Sequence, residues 1–141
     1  MPGPPQSHQW EMEICGVTTA FVITDFGSEL LFTVSQSGKI ASLIQATASE
    51  MREIGPELDP QRTFDVQVLF GDRRQEHYRA LARALIELVA AKSSKPLLLG
   101  IHLRENSAEM FRGILQQWRE QLTIATPEED EFADYEGREG Y

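Results

Sequence analysis

One change of hydrophobic period divides this chain. Apolar residues recur at every second position up to about residue 70, and at helical spacing for most of the remaining chain. A period of two sorts side chains onto alternate faces of a strand, whereas 3.6 gathers them on one stripe of a helix, so the change predicts a sheet laid down first and helices added to it. Val17 to Phe26 is rich in β-branched and aromatic residues, Gly27-Ser28 interrupts it, and Glu29 to Gln36 resumes as a second strand, which makes a hairpin. A break at Ser37-Gly38 leads into a third strand from Lys39 to Ala46, so that two glycine-centred connections join three strands.

Gly38-Lys39 invites comparison with a phosphate-binding loop. Such a loop needs Gly, four residues, then Gly-Lys-Ser/Thr opening a helix. Thr33 stands where the first glycine belongs, Ile40 replaces the hydroxyl residue, and strand character follows. Gly38 is therefore predicted to serve a turn, where positive φ is cheap for glycine. Residues 46 to 62 hold two prolines and a glycine and read as a long loop. Met51, Ile54 and Leu58 fall there at i, i+3 and i+7, the spacing of a helical turn whose apolar side chains either pack on the domain edge or touch a partner. Thr63 to Phe70 alternates, with Phe64, Val66, Val68 and Phe70 toward one face and Asp65, Gln67 and Leu69 toward the other.

Asp72 with Gln75 makes a capping box for a helix running to about Lys92, with Tyr78, Leu81, Ala82, Leu85, Leu88 and Val89 as its stripe. Pro96 follows its end, and Leu97 to Leu103 forms a strand with Leu97, Leu99, Ile101 and Leu103 on one face, completing a strand, helix, strand crossover. Asn106 with Glu109 caps a second helix carrying Phe111, Ile114, Leu115, Trp118 and Leu122. Two one-sided helices need a cover, and the sheet supplies it. The predicted fold is α+β: a mostly antiparallel sheet of five or six strands with two main helices on one face. It occupies residues 12–125, between a flexible Pro-rich arm at 1–11 and a flexible acidic tail at 126–141.

The other face is the informative one. Leu31, Thr33, Ser35, Asp65, Gln67, Leu69, Leu98 and His102 alternate with the core set, a mixture that is neither a fully solvated surface nor a second core. Such a face suits packing against another sheet, and it is predicted to be a subunit interface, with Leu31, Thr33, Ser35, Gln67, Leu69, Leu98 and His102 as its contacts and Met51, Ile54 and Leu58 as loop contacts.

Charge excludes one class of partner. The chain has 141 residues and a net charge of -9. From Pro127 to Tyr141 seven acids face Arg138 alone, which puts -6 in the tail and leaves -3 on the rest. Nucleic-acid affinity rests on Lys and Arg neutralising phosphates, and this body offers no such surplus. No apolar run reaches the roughly 18 residues of a membrane span, and the first ten residues lack the basic start and apolar core of a secretory signal. A single cysteine makes no internal disulfide. These features together point to an intracellular protein with neither nucleic acid nor membrane as its partner.

Candidates for chemistry are few. Cys15 has no histidine or lysine beside it in sequence to make a thiolate, and His8, His77 and His102 share no metal-ligand spacing. The carboxylates of Glu128 to Glu131 lie in the tail, which cannot hold an acid/base pair in fixed geometry. The reading is a protein with no enzymatic activity, cofactor or metal. Two other readings stay open: a small thiol-dependent enzyme using Cys15 with a histidine, and a holder of basic proteins through the acidic tail with its Phe132, Tyr135 and Tyr141.

The stretch Ile14 to Ile44, with Cys15-Gly16-Val17, Thr19 and the Gln36-x-Gly38-Lys39 turn, resembles the opening of the proteasome assembly chaperone 3 family. The later order fits as well: Val68-Leu69-Phe70-Gly71, a long helix with Leu81, Ala82 and Leu85, the Leu97-Leu98-Leu99 strand, and a last helix, so that the likeness spans roughly residues 12 to 122. Thr18 departs from the proline often found there, and the acidic tail extends beyond the usual end. The resemblance implies a non-catalytic chaperone that pairs through its sheet with proteasome assembly chaperone 4, guides α-subunits into the ring of the 20S core particle, and leaves before maturation. It implies a cytoplasmic home, with the nucleus as a second location and self-pairing of the isolated chain both left open.

Overall fold

The computed structural model describes residues 6–49, 52–53, 60–71 and 76–124. The elements are β1 (Gln6–Ile14), β2 (Val17–Asp25), β3 (Leu30–Ser35), β4 (Ser42–Ala48), the short pair β5 (Arg52–Glu53) and β6 (Pro60–Gln61), β7 (Phe64–Phe70), α1 (Glu76–Ala90), β8 (Leu97–His102) and α2 (Ala108–Ile124). Six strands form one sheet in the order β1-β2-β3-β8-β4-β7, antiparallel except for the parallel pair β3 and β8. The predicted α+β class, with two helices on one face of a mostly antiparallel sheet, is the observed one.

Register lines the core residues into rows. Trp10, Phe21, Val34, Ile101 and Ser42 cross five strands, and His8, Ile23, Phe32, Leu99, Ile44 and Val68 cross all six. Onto these rows α1 sets Leu81, Leu85, Ile86 and Val89, lying over β4 and β7, while α2 sets Met110, Ile114 and Trp118. Each fully buried Leu or Ile contributes about 1.5–3 kcal/mol relative to its exposed state, so these stripes hold both helices to the sheet. Trp118 stands perpendicular to Phe32, ring centres 6.0 Å apart.

Four local expectations change. Residues 6–11, expected as part of a loose arm, are strand: His8, Trp10, Met12 and Ile14 alternate toward the helices, and the Trp10 ring stacks on Phe21 at 4.9 Å. Gln117 and Gln121 of α2 reach across to them, Trp10 Nε1 donating to Gln117 Oε1 at 3.2 Å and His8 bonding Gln121 Oε1 at 2.8 Å. The turn that joins this strand to β2 has Cys15 and Gly16 both at positive φ, 53° and 79°. Second, β3 and β4 are not neighbours, because β8 lies between them. Third, Ala46 to Ala48 continue β4 by pairing with Phe64 to Val66 rather than starting a loop. Fourth, Ser107 caps α2 in place of Asn106: its Oγ accepts from the Met110 amide at 3.1 Å, and its carbonyl accepts from Phe111. As predicted, Gly38 makes a turn at φ 81°, its amide donating to Ser35 Oγ at 3.0 Å. The predicted Asp72 cap and the tail from 126 lie outside the described residues.

Two features give measurable consequences. Gly113 sits inside α2 where a Cβ would stand 2.6 Å from Ile14 Cγ2. Alanine favours a helix over glycine by about 1 kcal/mol, but overpacking costs about 1–3 kcal/mol. Gly113→Ala should therefore lower stability by about 1 kcal/mol in urea unfolding, and the loss should vanish in an Ile14→Ala background. At the sheet end, Lys95 Nζ contacts both Asp25 oxygens at 3.0 Å and the Gly27 amide donates to Asp25 Oδ1 at 2.8 Å. Burial alone would raise the Asp25 carboxyl, but the Gly27 amide and Lys95 together outweigh it and hold it below its usual value. A depressed carboxylate stabilises the fold above its unfolded-state pKa of about 3.9 and stops doing so as pH falls through the lower folded value. The stability difference between wild type and Asp25→Asn, followed by thermal melts, should thus persist to about pH 4 and close below it.

Candidate functional site

With both helices on one side, every second residue of each strand points away from the core. Register sorts these into rows as well. Ser7, Thr24, Leu31, Leu98, Gln45 and Gln67 form one, and Gln9, Val22, Thr33, Gly100, Leu43 and Phe70 form the next. Glu11, Ala20, Ser35 and His102 begin a third. Leu31 and Leu98 are direct neighbours on the central parallel pair. No residue carrying a full charge stands at an outward position of β3, β8 or the middle of β4, so the centre of this face is apolar and hydrogen-bonding, with Glu11 and Asp65 toward its edges.

Gly100 leaves a gap in the middle, and Ile40 leans over it: a Cβ on Gly100 would stand 3.0 Å from Ile40 Cγ2. Ile40 is itself 38% exposed. On β7 the register slips, since Val68 pairs with Ile44 and Phe70 with Leu43, leaving Leu69 as an extra residue. This β-bulge shifts the parity of the strand. Phe70, expected in the core, is instead 50% exposed beside Leu43, and Leu69 is 41% exposed.

The structure places Leu31, Thr33, Ser35, Leu98 and His102 together at the centre, half-buried, and Gln67 and Leu69 on β7, exposed. Met51, Ile54 and Leu58 lie outside the described residues. Leu43, Ile40 and Phe70 belong to the same face and escaped the sequence reading. One signal existed, because an isolated glycine within a strand marks close approach of another group.

Gln36, at the end of β3, braces this face from beneath. It is buried, its Nε2 donates to Thr19 Oγ1 at 2.9 Å, and its Oε1 accepts from the Arg104 amide at 2.8 Å. Its backbone carbonyl accepts from Arg104 Nε at 3.1 Å, and its amide donates to the His102 carbonyl at 2.9 Å. Nearby, the Leu103 amide donates to the Tyr78 hydroxyl at 3.0 Å. These bonds fix the chain where β8 hands over to α2, and with it the position of His102, whose Nδ1 bonds Ser37 Oγ.

The histidines are engaged apart from the thiol. His8 bonds Gln121, His77 lies against Phe111 at 5.4 Å, His102 meets Ser37, and Cys15 is exposed in its turn. Among the described residues no group of three or more His, Cys, Asp or Glu could hold a metal ion, and no helix is long and apolar enough to cross a membrane.

The family model of proteasome assembly chaperone 3 matches residues 32–121, well over half of the chain, from β3 into α2. Among solved structures, the fold resembles a chain in the crystal structure of a chaperone complex for yeast 20S proteasome assembly, with TM-score 0.60 over 79% of this chain and 94% of that one at 12% identity. Identity that low speaks for shared architecture alone. No match is found among curated proteins.

Removing the Gln36 side chain takes the acceptor from the Arg104 amide and leaves the buried Thr19 hydroxyl with its bond to the Val17 carbonyl alone, and a polar group that loses its partner in a part-buried site costs about 1–3 kcal/mol. Gln36→Ala should lower stability by that amount in urea unfolding and speed amide exchange at Arg104 beyond the exchange at β1.

Proposed function

The chain belongs to the proteasome assembly chaperone 3 family, and from that premise we propose that it works without chemistry, as one half of a pair whose sheet faces cover one another. The observation that carries this reading is the charge-free centre of the open face, where Leu31, Leu98, Leu43, Ile40 and Phe70 cluster on the side of the six-stranded sheet opposite both described helices. The proposed partner is proteasome assembly chaperone 4, with self-pairing as the state available to the chain alone. Together they hold α-subunits of the 20S particle in the orientation that ring closure requires, in the cytoplasm, and leave before the particle matures.

Dimensions support a contact that can be undone. Six strands about 4.8 Å apart, each about 20 Å long, give a plane of roughly 480 Å². Two such planes bury about 1,000 Å² together, near the low end of stable interfaces and within the transient range. A competing subunit can then displace the chaperone by mass action, with no covalent step.

Leu98→Glu or Leu69→Glu should leave the monomer folded, because neither side chain is in the core, yet place a carboxylate in the joint. We expect affinity for the sister chain to fall at least about thirtyfold, about 2 kcal/mol, in titration calorimetry. Undiminished co-purification of either variant with the sister chain contradicts the proposal.

A further inference from the structure

One end of the sheet holds a polar pocket. Where β4 begins and β8 hands over to α2, Ser42, Tyr78, His102, Leu103 and Arg104 surround a space of about 310 Å³. Ligand pockets start at roughly 300 Å³, so this one suits a small group. Its side chains offer donors that no neighbour uses. Ser42 is 3% exposed, yet its hydroxyl bonds no described residue, and a buried hydroxyl left unpaired is costly. Tyr78, 4% exposed, accepts from the Leu103 amide at its oxygen and keeps its own proton uncommitted. Arg104 Nε donates to the Gln36 carbonyl at 3.1 Å, which fixes the guanidinium while its Nη groups make no bond or ion pair to a described residue. No Asp or Glu stands among the described lining residues.

We propose that this pocket receives a carboxylate carried on a partner peptide. One guanidinium and two hydroxyl donors meeting in a space free of described acids select an oxyanion, and charge selects which one. Arg104 is the only full charge among the described lining residues. It balances the single charge of a carboxylate, whereas a phosphate group brings about -1.5 to -2 at pH 7. The paired Nη groups of a guanidinium match the two oxygens of a carboxylate, and the lone pairs that remain accept from Ser42 and Tyr78. His102 both lines the pocket and stands on the open sheet face, so a protein docked on that face can pass a carboxylate into the opening. The choice of a peptide as carrier rests on the proposed protein-binding role; the oxyanion site itself does not.

The test titrates the isotope-labelled full chain with acetyl-Ala-Ala-Leu, the same peptide amidated at its C-terminus, acetyl-Ala-Glu-Ala amide, and inorganic phosphate. NMR follows the Arg104 Nε–H and the backbone amides of Leu103 and Arg104. The proposal predicts saturable shifts with the free acid and none with its amide. The Glu peptide identifies the source: affinity equal to the free acid means that acidic side chains are accepted, and weaker binding means that a chain terminus is preferred. Losing one hydrogen bond to a charged group weakens binding about tenfold or more. Ser42→Ala should therefore lower affinity by that factor while thermal stability stays the same or rises, because the hydroxyl has no partner in the fold to lose. Arg104→Gln should abolish the Leu103 shift. Equal shifts from acid and amide, affinity untouched by Ser42→Ala, tighter binding of phosphate than of both carboxylate peptides, or no shift from either carboxylate peptide at millimolar concentration overturns the proposal. No sister chain is present, so these results are read separately from whether the sheet faces pair.

Discussion

The insertion of β8 between β3 and β4 is the constraint on which the rest depends. Its core-side residues Leu97, Leu99 and Ile101 are fully buried, and both of its edges are paired, parallel to β3 and antiparallel to β4. This strand joins the β1-β2-β3 hairpins to the β4-β7 pair, and without it each set would be too small to carry two helices. Because the described helices take only one side, the strand's other residues, Leu98, Gly100 and His102, become the middle of the opposite face. The topology that closes the core thus also creates the surface on which the proposed pairing rests.

Much of this was legible because period is a local property. Alternation in Leu30 to Ser35 and Leu97 to His102 identified both strands and told their two faces apart, and helical spacing located α1 and α2. Strand order was not legible, since which strand enters beside β3 is settled by long-range packing that no local window contains. The bulge at Leu69 was hidden for a related reason: one extra residue changes parity only relative to a partner strand, so Phe70 read as core. Composition misled at the start of the chain, where prolines before Gln6 drew attention from the alternation of His8, Trp10, Met12 and Ile14. At α2, Asn106 and Ser107 are both good capping residues, and only the observed bond separates them.

The candidate site followed the same division. Leu31, Thr33, Ser35, Leu98 and His102 were found by parity and do lie together. Leu43 and Ile40 required the knowledge that β4 sits beside β8, with Ile40 filling the space that Gly100 leaves. A face held by six paired strands and pinned at Gln36 presents its side chains in a fixed pattern, which lowers the ordering entropy that the proposed pairing has to overcome. Selectivity in the proposed pairing would then come from shape and matched hydrogen bonds, because the centre lacks charge.

The central claim concerns which surface a partner covers. Cross-saturation NMR reads this directly: the deuterated chain, protonated only at Ile, Leu and Val methyls, is mixed with protonated proteasome assembly chaperone 4, and the partner's protons are irradiated. The account predicts intensity loss at the methyls of Leu31, Ile40, Leu43 and Leu98, with those of Leu88 and Leu122 unaffected. Attenuation confined to the helical side, or absent from the open-face methyls in a formed complex, contradicts it.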